Sequence, residues 1–206
     1  RPEKLFIDYD TTVNSSLTDI SGNFNHGAFI GPLYSTEDKA FKFDGGNYSQ
    51  TRISIAGGNM AWTQSMWFKA NSFLPGSGVF NVLSFFGNKS GLSGIITSYN
   101  AGKMWQDWYG NGVYFDYTFE VGQWYHAVSV YHGNTSTDPN VRSSMYINGV
   151  KQTLTFYSAI SSPMILPTET FYELADYINA SNGRHNGLIS NVKFYSVALE
   201  PSEVKK

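Results

Sequence analysis

An aromatic and polar stretch in the middle of the chain carries side chains suited to contacting a sugar. Trp105 and Trp108 flank Asp107 closely, and Tyr109 and Asn111 follow. A flat aromatic ring can stack on the C–H face of a sugar, while carboxylates and amides hydrogen-bond its hydroxyl groups. On an extended strand, Trp105, Asp107 and Tyr109 share one face. We therefore predict that these five residues bind a ligand; the alternative is that the tryptophans fill the core.

A polar loop near the end of the chain is a second candidate. Residues 179–187, Asn-Ala-Ser-Asn-Gly-Arg-His-Asn-Gly, offer many hydrogen-bond donors. Arg184 or His185 would suit an anionic sugar, because a charged donor strengthens a hydrogen bond to an anion. A solvated loop that binds nothing is the alternative interpretation.

A third candidate lies near the start of the chain and concerns a metal ion. Residues 19–27 place the side-chain oxygens of Asp19, Ser21, Asn23 and Asn25 in one glycine-containing turn. Calcium takes about six to eight oxygen ligands in proteins, so Asp19 and Asn23 are candidate calcium ligands. The alternative is an Asx-rich turn that hydrogen-bonds to itself and needs no metal.

Carboxylate pairs of the kind that cleave glycosidic bonds are poorly represented. Asp116 and Glu120 would share a strand face, but roughly 13 Å apart, beyond the ~5–9.5 Å that such enzymes use. Asp8 and Asp10 lie on a first strand, where we expect a solvated face. His126 lies on a central apolar strand, where we expect it to pack in the core. We therefore predict a protein that is not an enzyme, with a polysaccharide lyase or glycoside hydrolase as the least favoured alternative.

Composition excludes several classes of function. The 206 residues carry a net charge of -2, with no clustered basic residues, so a nucleic-acid partner is not expected. No apolar run approaches the roughly 20 residues of a membrane helix, so membrane insertion is not expected either. With no cysteine, disulfides and thiol nucleophiles are impossible.

The elements that would position these side chains are short strands. Residues 5–9, 40–43, 65–70, 79–86, 94–99, 112–119 and 124–131 alternate apolar and polar side chains or are apolar throughout. Asn148-Gly149 between two apolar segments predicts a tight hairpin. We expect a long surface loop over residues 133–144 and a helical turn over 201–205. The pattern predicts an all-β, two-sheet antiparallel β-sandwich of the jelly-roll type, formed as one domain by residues 1–206.

Six segments, in order, resemble the laminin-G-like jelly-roll branch of the concanavalin A-like lectin/glucanase superfamily. They are the loop 19–27, the strand and turn 40–45, the strand 66–69, the strand 122–128, the hairpin 146–150 and the closing strand 187–199. The resemblance implies a sandwich with its first and last strands side by side, and a binding role more often than an enzymatic one. Relatives often hold calcium in loops like 19–27. One departure is that Ser190-Asn191 stands where the branch usually has two acidic residues.

Together these observations predict a module that binds a carbohydrate or glycoconjugate without catalysis. A glycan or glycoprotein partner places it outside the cell or on a particle surface, as a secreted, cell-surface or virion protein. The runner-up is a structural or adhesive module that contacts protein in a larger surface assembly.

Overall fold

Short strands with alternating burial make up most of the chain, as the sequence predicts. The computed structural model describes residues 4–31, 33–54, 58–74, 80–88, 93–108, 111–157, 169–176 and 183–204. In chain order, the described elements are β1 (Leu5–Tyr9), β2 (Ala28–Ile30), β3 (Leu33–Ser35), β4 (Ala40–Asp44), β5 (Tyr48–Ser54), β6 (Trp62–Ala70), β7 (Asn81–Asn88), β8 (Ser93–Tyr99), β9 (Lys103–Trp108), β10 (Asn111–Asp116), β11 (Trp124–Tyr131), α1 (Pro139–Arg142), β12 (Ser143–Ile147), β13 (Val150–Lys151), β14 (Thr155–Phe156), β15 (Glu169–Leu174), β16 (Asn186–Tyr195) and α2 (Pro201–Val204).

The strands form two antiparallel sheets, which confirms the predicted sandwich. Sheet A has the order β13-β12-β11-β6-β16-β4-β3, and β1 also pairs with β16. Sheet B has the order β14-β10-β9-β8-β7-β15-β5-β2. The pairing of β1 with β16 joins the first described strand to the last one, as the family resemblance implies.

Aromatic side chains fill the space between the sheets. Trp62 on β6 stacks between Tyr131 and Phe194, with ring centroids 6.3 and 6.2 Å from its own. Phe194 in turn contacts Phe86 of sheet B at 4.6 Å. All four of these residues are at most 2% exposed. Each buried aromatic ring removes a large apolar area from water, so the contacts among these four rings hold the two sheets together.

Local sequence signals account for the connections near the end of sheet A. Asn148 and Gly149 both have positive φ, 51° and 77°, and join β12 to β13 as predicted. The segment 133–144 is not wholly a surface loop, because α1 forms within it where the Asp138 side chain accepts the N–H of Asn140. Helix α2 forms within the predicted helical turn.

Candidate functional site

A groove of about 960 Å³ crosses the outer face of sheet A. Its floor comes from the three central strands β11, β6 and β16, and its walls come from the turn after β1, the β12–β13 hairpin and α2. The aromatic and imidazole rings that line it are Trp67, Trp124, His126 and Tyr195; the polar side chains are Asp10, Thr12, Ser65, Asn148, Asn191, Lys193 and Glu203.

Trp67 forms the exposed aromatic surface at the centre of this groove. On β6, Met66 and Phe68 point into the core, so alternation turns Trp67 outward, where 40% of it is exposed. His126 lies directly opposite on β11 and stacks on the indole, with ring centroids 5.0 Å apart and planes 23° apart. The side chain of Trp67 is therefore both accessible and supported.

His126 is fixed by strand β6 and by the turn between β12 and β13. Its Nε2 atom lies 2.8 Å from the Ser65 hydroxyl, and its backbone N–H donates to Asn148 Oδ1. Partial burial lowers the pKa of His126 below its ordinary value, which favours the neutral ring. The expectation that His126 packs in the core was wrong. On β11 it is Tyr125 and Ala127 that face the core, whereas His126 faces the groove.

A second tryptophan lies diagonally across the same two strands. Trp124 on β11 pairs with Lys69 on β6, two residues along the strands from the pair of His126 and Trp67. The Lys69 ammonium group lies 5.3 Å from the centre of the Trp124 ring and 2.7 Å from Asp38 Oδ1. Diagonal neighbours in a sheet are about 7–8 Å apart, so the two indoles border one continuous surface.

A β-bulge shapes the opposite wall. The ladder between β16 and β6 is interrupted between Ser190 and Lys193, and Asn191 has a φ of 48°. The Thr11 hydroxyl lies 2.6 Å from the Ser190 hydroxyl and donates to Asn191 Oδ1 at 3.3 Å. Ser190 and Asn191, which stand where the family usually has acidic residues, therefore form a neutral hydrogen-bonded contact with Thr11. This contact fixes the turn after β1 against the groove.

The two acids of the first strand differ from the solvated pair we expected. Asp8 is only 7% exposed and accepts a hydrogen bond from Lys193 Nζ at 2.8 Å. Asp10 lies beyond the end of β1 at the groove wall, and its Oδ1 accepts both the N–H and the hydroxyl of Thr12. These hydrogen bonds from Thr12, with a smaller effect of Lys193, lower the pKa of Asp10.

The stretch predicted to bind a ligand is only partly described. Trp105 is 7% exposed, and its ring meets Phe80 edge-on at 4.7 Å. Asp107 is half-buried on β9, paired with Ile96 of β8. The side chains of Trp108 and Asn111, and all of Tyr109, lie outside the described residues. Trp105 does not lie between the sheets, because its neighbour Met104 belongs to that core and alternation turns Trp105 to the outer face of sheet B, where Phe80 covers it. A ligand role for this stretch stays a prediction.

Arg184 is held by three groups of the protein. Its Nε donates to Asp176 Oδ1 at 3.1 Å, its Nη1 donates to the Gly46 carbonyl at 2.7 Å, and its guanidinium lies 4.8 Å from the centre of the Tyr48 ring. A ligand role for Arg184 also stays a prediction. His185 cannot contact a ligand, because it is fully buried and lies 3.0 Å from the Tyr99 hydroxyl.

The Asp19 loop closes on its own hydrogen bonds. Asp19 Oδ1 accepts the N–H groups of Asp8 and Ser21, and Oδ2 accepts the Ser21 hydroxyl and the N–H of Asn25. Asn23 donates to the Leu5 carbonyl. A carboxylate has about four lone-pair sites, so these four hydrogen bonds favour the alternative of a turn that hydrogen-bonds to itself. Among the described residues, no cluster of three or more acidic or histidine side chains could hold a metal. Calcium stays a prediction that titration tests.

The carboxylates weighed for catalysis are also separated. Strand β10 ends at Asp116, so Asp116 and Glu120 do not share a strand. Asp116 instead forms an ion pair with Lys103 on β9.

Trp67 and its neighbours were not singled out from the sequence, although Ser65 and Lys69 beside it alternate with apolar residues and could have indicated that Trp67 faces outward.

The fold and the sequence together define the class of this protein. A family model described as the concanavalin A-like lectin/glucanases superfamily, of the laminin-G type, matches residues 43–205. The chain therefore belongs to this superfamily, and its sandwich is a concanavalin A-like jelly roll. A search of curated proteins finds no match. In the described residues, no helix is long and apolar enough to cross a membrane.

Solved structures with the same fold include one domain of an arabinanase and the binding domains of toxins. Domain 4 of AbnA, an extracellular GH43 arabinanase from Geobacillus stearothermophilus solved with arabinotriose, superposes with a TM-score of 0.71 at 20% identity, over 98% of this chain and 97% of that domain. The binding domain of Paraclostridial Mosquitocidal Protein 1 has a TM-score of 0.69 at 14% identity, over 99% of this chain and 51% of that one. The binding domain of botulinum neurotoxin DC, solved with rat synaptotagmin II, has a TM-score of 0.68 at 11% identity, over 100% of this chain and 51% of that one. This chain spans about half the length of both toxin domains.

Proposed function

We propose that this protein is a non-catalytic carbohydrate-binding module whose ligand lies in the groove on the outer face of sheet A. The observation that carries the proposal is the half-exposed Trp67 ring at the groove centre, stacked from one side by His126. On the other side, β16 contributes the small Ser190 and the bulge at Asn191. This arrangement leaves room for a sugar ring to stack on the indole.

Polar groups around Trp67 supply the hydrogen bonds that a sugar needs. Asn148 Oδ1 accepts the N–H of His126, so the amide N–H groups of Asn148 are available to donate to a hydroxyl. Asp10 Oδ1 accepts two hydrogen bonds from Thr12, which leaves Oδ2 to accept a hydrogen bond from a sugar hydroxyl. Apolar stacking with a few fixed polar groups is the usual composition of a small-molecule site.

The solved relatives support the proposal through their fold. An arabinanase domain seen with arabinotriose and several toxin binding domains share this sandwich, and the type C botulinum neurotoxin interacts with two ganglioside molecules. We further propose that residues 1–206 form one laminin-G-like domain and that it acts outside the cell or on a particle surface, where a glycan or glycoprotein would be met.

A second candidate function, adhesion to protein in a surface assembly, is favoured by one observation. Phe24 is 78% exposed with a φ of 58°, and Ile20 in the same loop is 47% exposed. A bulky residue held in this strained conformation with its ring in water suits a contact with a protein partner. If this function is the correct one, Phe24→Ala abolishes a stable complex and Trp67→Ala leaves it intact.

The test of the main proposal is a glycan array followed by calorimetry. The wild type is expected to bind a subset of oligosaccharides, and Trp67→Ala to lose at least about tenfold in affinity with a nearly unchanged melting temperature. Tyr157→Ala is the matched control, because Tyr157 is also an exposed aromatic residue, at 56%, but does not line the groove. Absence of any binding by the wild type, or equal binding by Trp67→Ala, would contradict the proposal. Turnover of a polysaccharide would contradict its non-catalytic part.

A further inference from the structure

We propose that the groove selects uncharged oligosaccharides and rejects acidic ones such as sialylated or uronate-containing glycans. This inference rests on the proposed function, because it names the class of sugar for the same groove. It depends on how the charged side chains of the groove are paired, which the described contacts specify.

The lysines in and beside the groove already form ion pairs with carboxylates. Lys193 lies 2.8 Å from Asp8 Oδ2, and Asp8 is buried beneath it. Lys69, beside the Trp124 ring, lies 2.7 Å from Asp38 Oδ1. Binding an acidic sugar through either ammonium group would compete with a carboxylate that the fold holds in place. Neither lysine therefore offers the uncompensated positive charge that recognises an anion.

The carboxylate of Asp10 is less fully compensated than either lysine. Asp10 lines the groove wall, and its Oδ1 accepts two hydrogen bonds from Thr12. Because these bonds lower its pKa, Asp10 is ionised at neutral pH. Glu203 of α2 also lines the wall, but its carboxylate is engaged within the protein, with Oε2 accepting the N–H of Glu200.

The remaining titratable groups do not reverse this balance. His126 is the histidine on the groove floor, and its lowered pKa keeps it neutral at pH 7. Tyr195, beside Lys193 and Asp8, has a raised pKa because of burial and stays protonated. Lys193 forms an ion pair with Asp8 and also lowers the pKa of Asp10, so at this wall one ammonium group faces the two carboxylates of Asp8 and Asp10. A ligand carboxylate beside Asp10 meets repulsion, whereas a ligand hydroxyl can donate to it.

The groove is also large enough for more than one sugar ring. Its volume of about 960 Å³ lies at the upper end of ordinary small-molecule sites, and two indoles border it on adjacent strands. The inferred ligand is therefore an uncharged oligosaccharide that places one ring on Trp67 and hydroxyl groups near Asp10. Such a ligand suits both the stacking surface and the sign of the local charge.

The experiment compares matched glycans that differ only in charge. Neutral oligosaccharides that bind on the array are measured beside their sialylated or uronate-bearing counterparts, by calorimetry at pH 7 in 50 mM and 500 mM salt. We expect the acidic counterpart to bind at least about tenfold more weakly at low salt, with a smaller difference at high salt because screening weakens the repulsion. In Asp10→Asn the difference is expected to shrink to about threefold or less.

The control variant is Asp116→Asn, which removes the same charge from sheet B, where Asp116 pairs with Lys103. It is expected to leave the selectivity unchanged. If neutral and acidic glycans bind equally through Trp67, or if Asp10→Asn leaves the difference intact, the charge inference is wrong and the proposed function stands. If no glycan binds at all, both are wrong.

Discussion

The imidazole of His126 lies against the indole of Trp67, with centroids 5.0 Å apart and an interplanar angle of 23°. The two residues are direct cross-strand partners on β11 and β6. The hydrogen-bond contact between His126 and Ser65 fixes the imidazole, and the imidazole limits the rotation of the indole. An aromatic surface held in one orientation binds a ligand with less loss of side-chain entropy than a mobile one.

Replacement of His126 by alanine is therefore expected to weaken glycan binding by about three- to tenfold, since Trp67 loses its support but keeps its ring. His126→Phe should restore most of the affinity, because a phenyl ring can stack in the same place. Calorimetry measures the affinity. His132→Ala is the control, because His132 also contacts a serine hydroxyl, that of Ser144, outside the groove. Unchanged affinity in His126→Ala would show that Trp67 needs no support.

Trp105 is expected to behave in the opposite way to Trp67. It is 7% exposed and packs against Phe80, so Trp105→Ala should lower the free energy of unfolding by about 3–5 kcal/mol. Trp105→Phe keeps most of the packing and should retain full glycan affinity. Chemical denaturation and the glycan array measure the two effects. Lost binding in a stable Trp105→Phe protein would instead support the ligand role predicted for residues 105–111.

The difference between these two tryptophans shows what the sequence could predict about the site. Both lie on outer faces, because Met66 and Phe68 beside Trp67 and Met104 beside Trp105 belong to the core between the sheets. Alternation predicts which residues share a face, but not that Phe80 covers Trp105 while Trp67 stays exposed. His126 was misplaced for the same reason, because apolar Val128 and Val130 on its face pack against Leu199 and Val204 rather than between the sheets. That contact joins distant parts of the chain and has no local signal.

The fold itself was predictable where the signal is local. The Asn148-Gly149 hairpin follows from two residues that tolerate positive φ, and the pairing of β1 with β16 follows from the family resemblance. Strands β5 and β15 were not predicted. Their segments are largely polar or charged, and they are stabilised by pairing with each other over more than 100 residues of sequence. Long-range pairing of this kind leaves little local pattern.

Gly187, at the start of the closing strand, is expected to tolerate no side chain. A Cβ at this position would lie 2.0 Å from the Lys69 carbonyl oxygen and 2.7 Å from His185 Nε2. Gly187→Ala should therefore force β16 away from β6 and lower the free energy of unfolding by about 3 kcal/mol or more. Chemical denaturation checks this, with Gly102→Ala as control, since the nearest atom to its Cβ would be 4.0 Å away. Equal stability of the two variants would contradict the close approach of these strands.

Stability is expected to fall as the pH is lowered from 7 towards 4. Burial lowers the pKa of His185 from 6.5 to about 4, so the unfolded chain binds a proton at pH values where the folded protein does not. The stabilisation is complete above pH 6.5 and is lost as the pH falls towards the folded pKa, by up to about 3 kcal/mol.

His185→Gln isolates this effect. Glutamine does not titrate and can still hydrogen-bond the Tyr99 hydroxyl. The variant is expected to be less stable at pH 7 but to show a shallower decline between pH 6.5 and pH 4. Urea denaturation at each pH measures both slopes. Parallel curves for the wild type and the variant would show that His185 does not contribute to the pH dependence.

The loop that contains Asp19 is expected to be stabilised by its own hydrogen bonds. The four donors to the Asp19 carboxylate come from Asp8, Ser21 and Asn25, and Asp19 is 5% exposed. Asp19→Ala leaves three backbone N–H groups without this acceptor, so we expect a loss of about 3 kcal/mol or more. Asn23→Ala removes an exposed side chain and should cost less than about 1 kcal/mol.

A calcium titration of the same variants separates the two interpretations of this loop. If the hydrogen bonds of Asp19 are sufficient, the melting temperature of the wild type is the same in millimolar calcium and in excess chelator, and the order of the variants does not depend on calcium. If the loop binds calcium through Asp19 and Asn23, calcium raises the melting temperature of the wild type, because a ligand that binds only the folded state stabilises it. That rise would then disappear in both variants, including Asn23→Ala, whose stability without calcium is nearly that of the wild type.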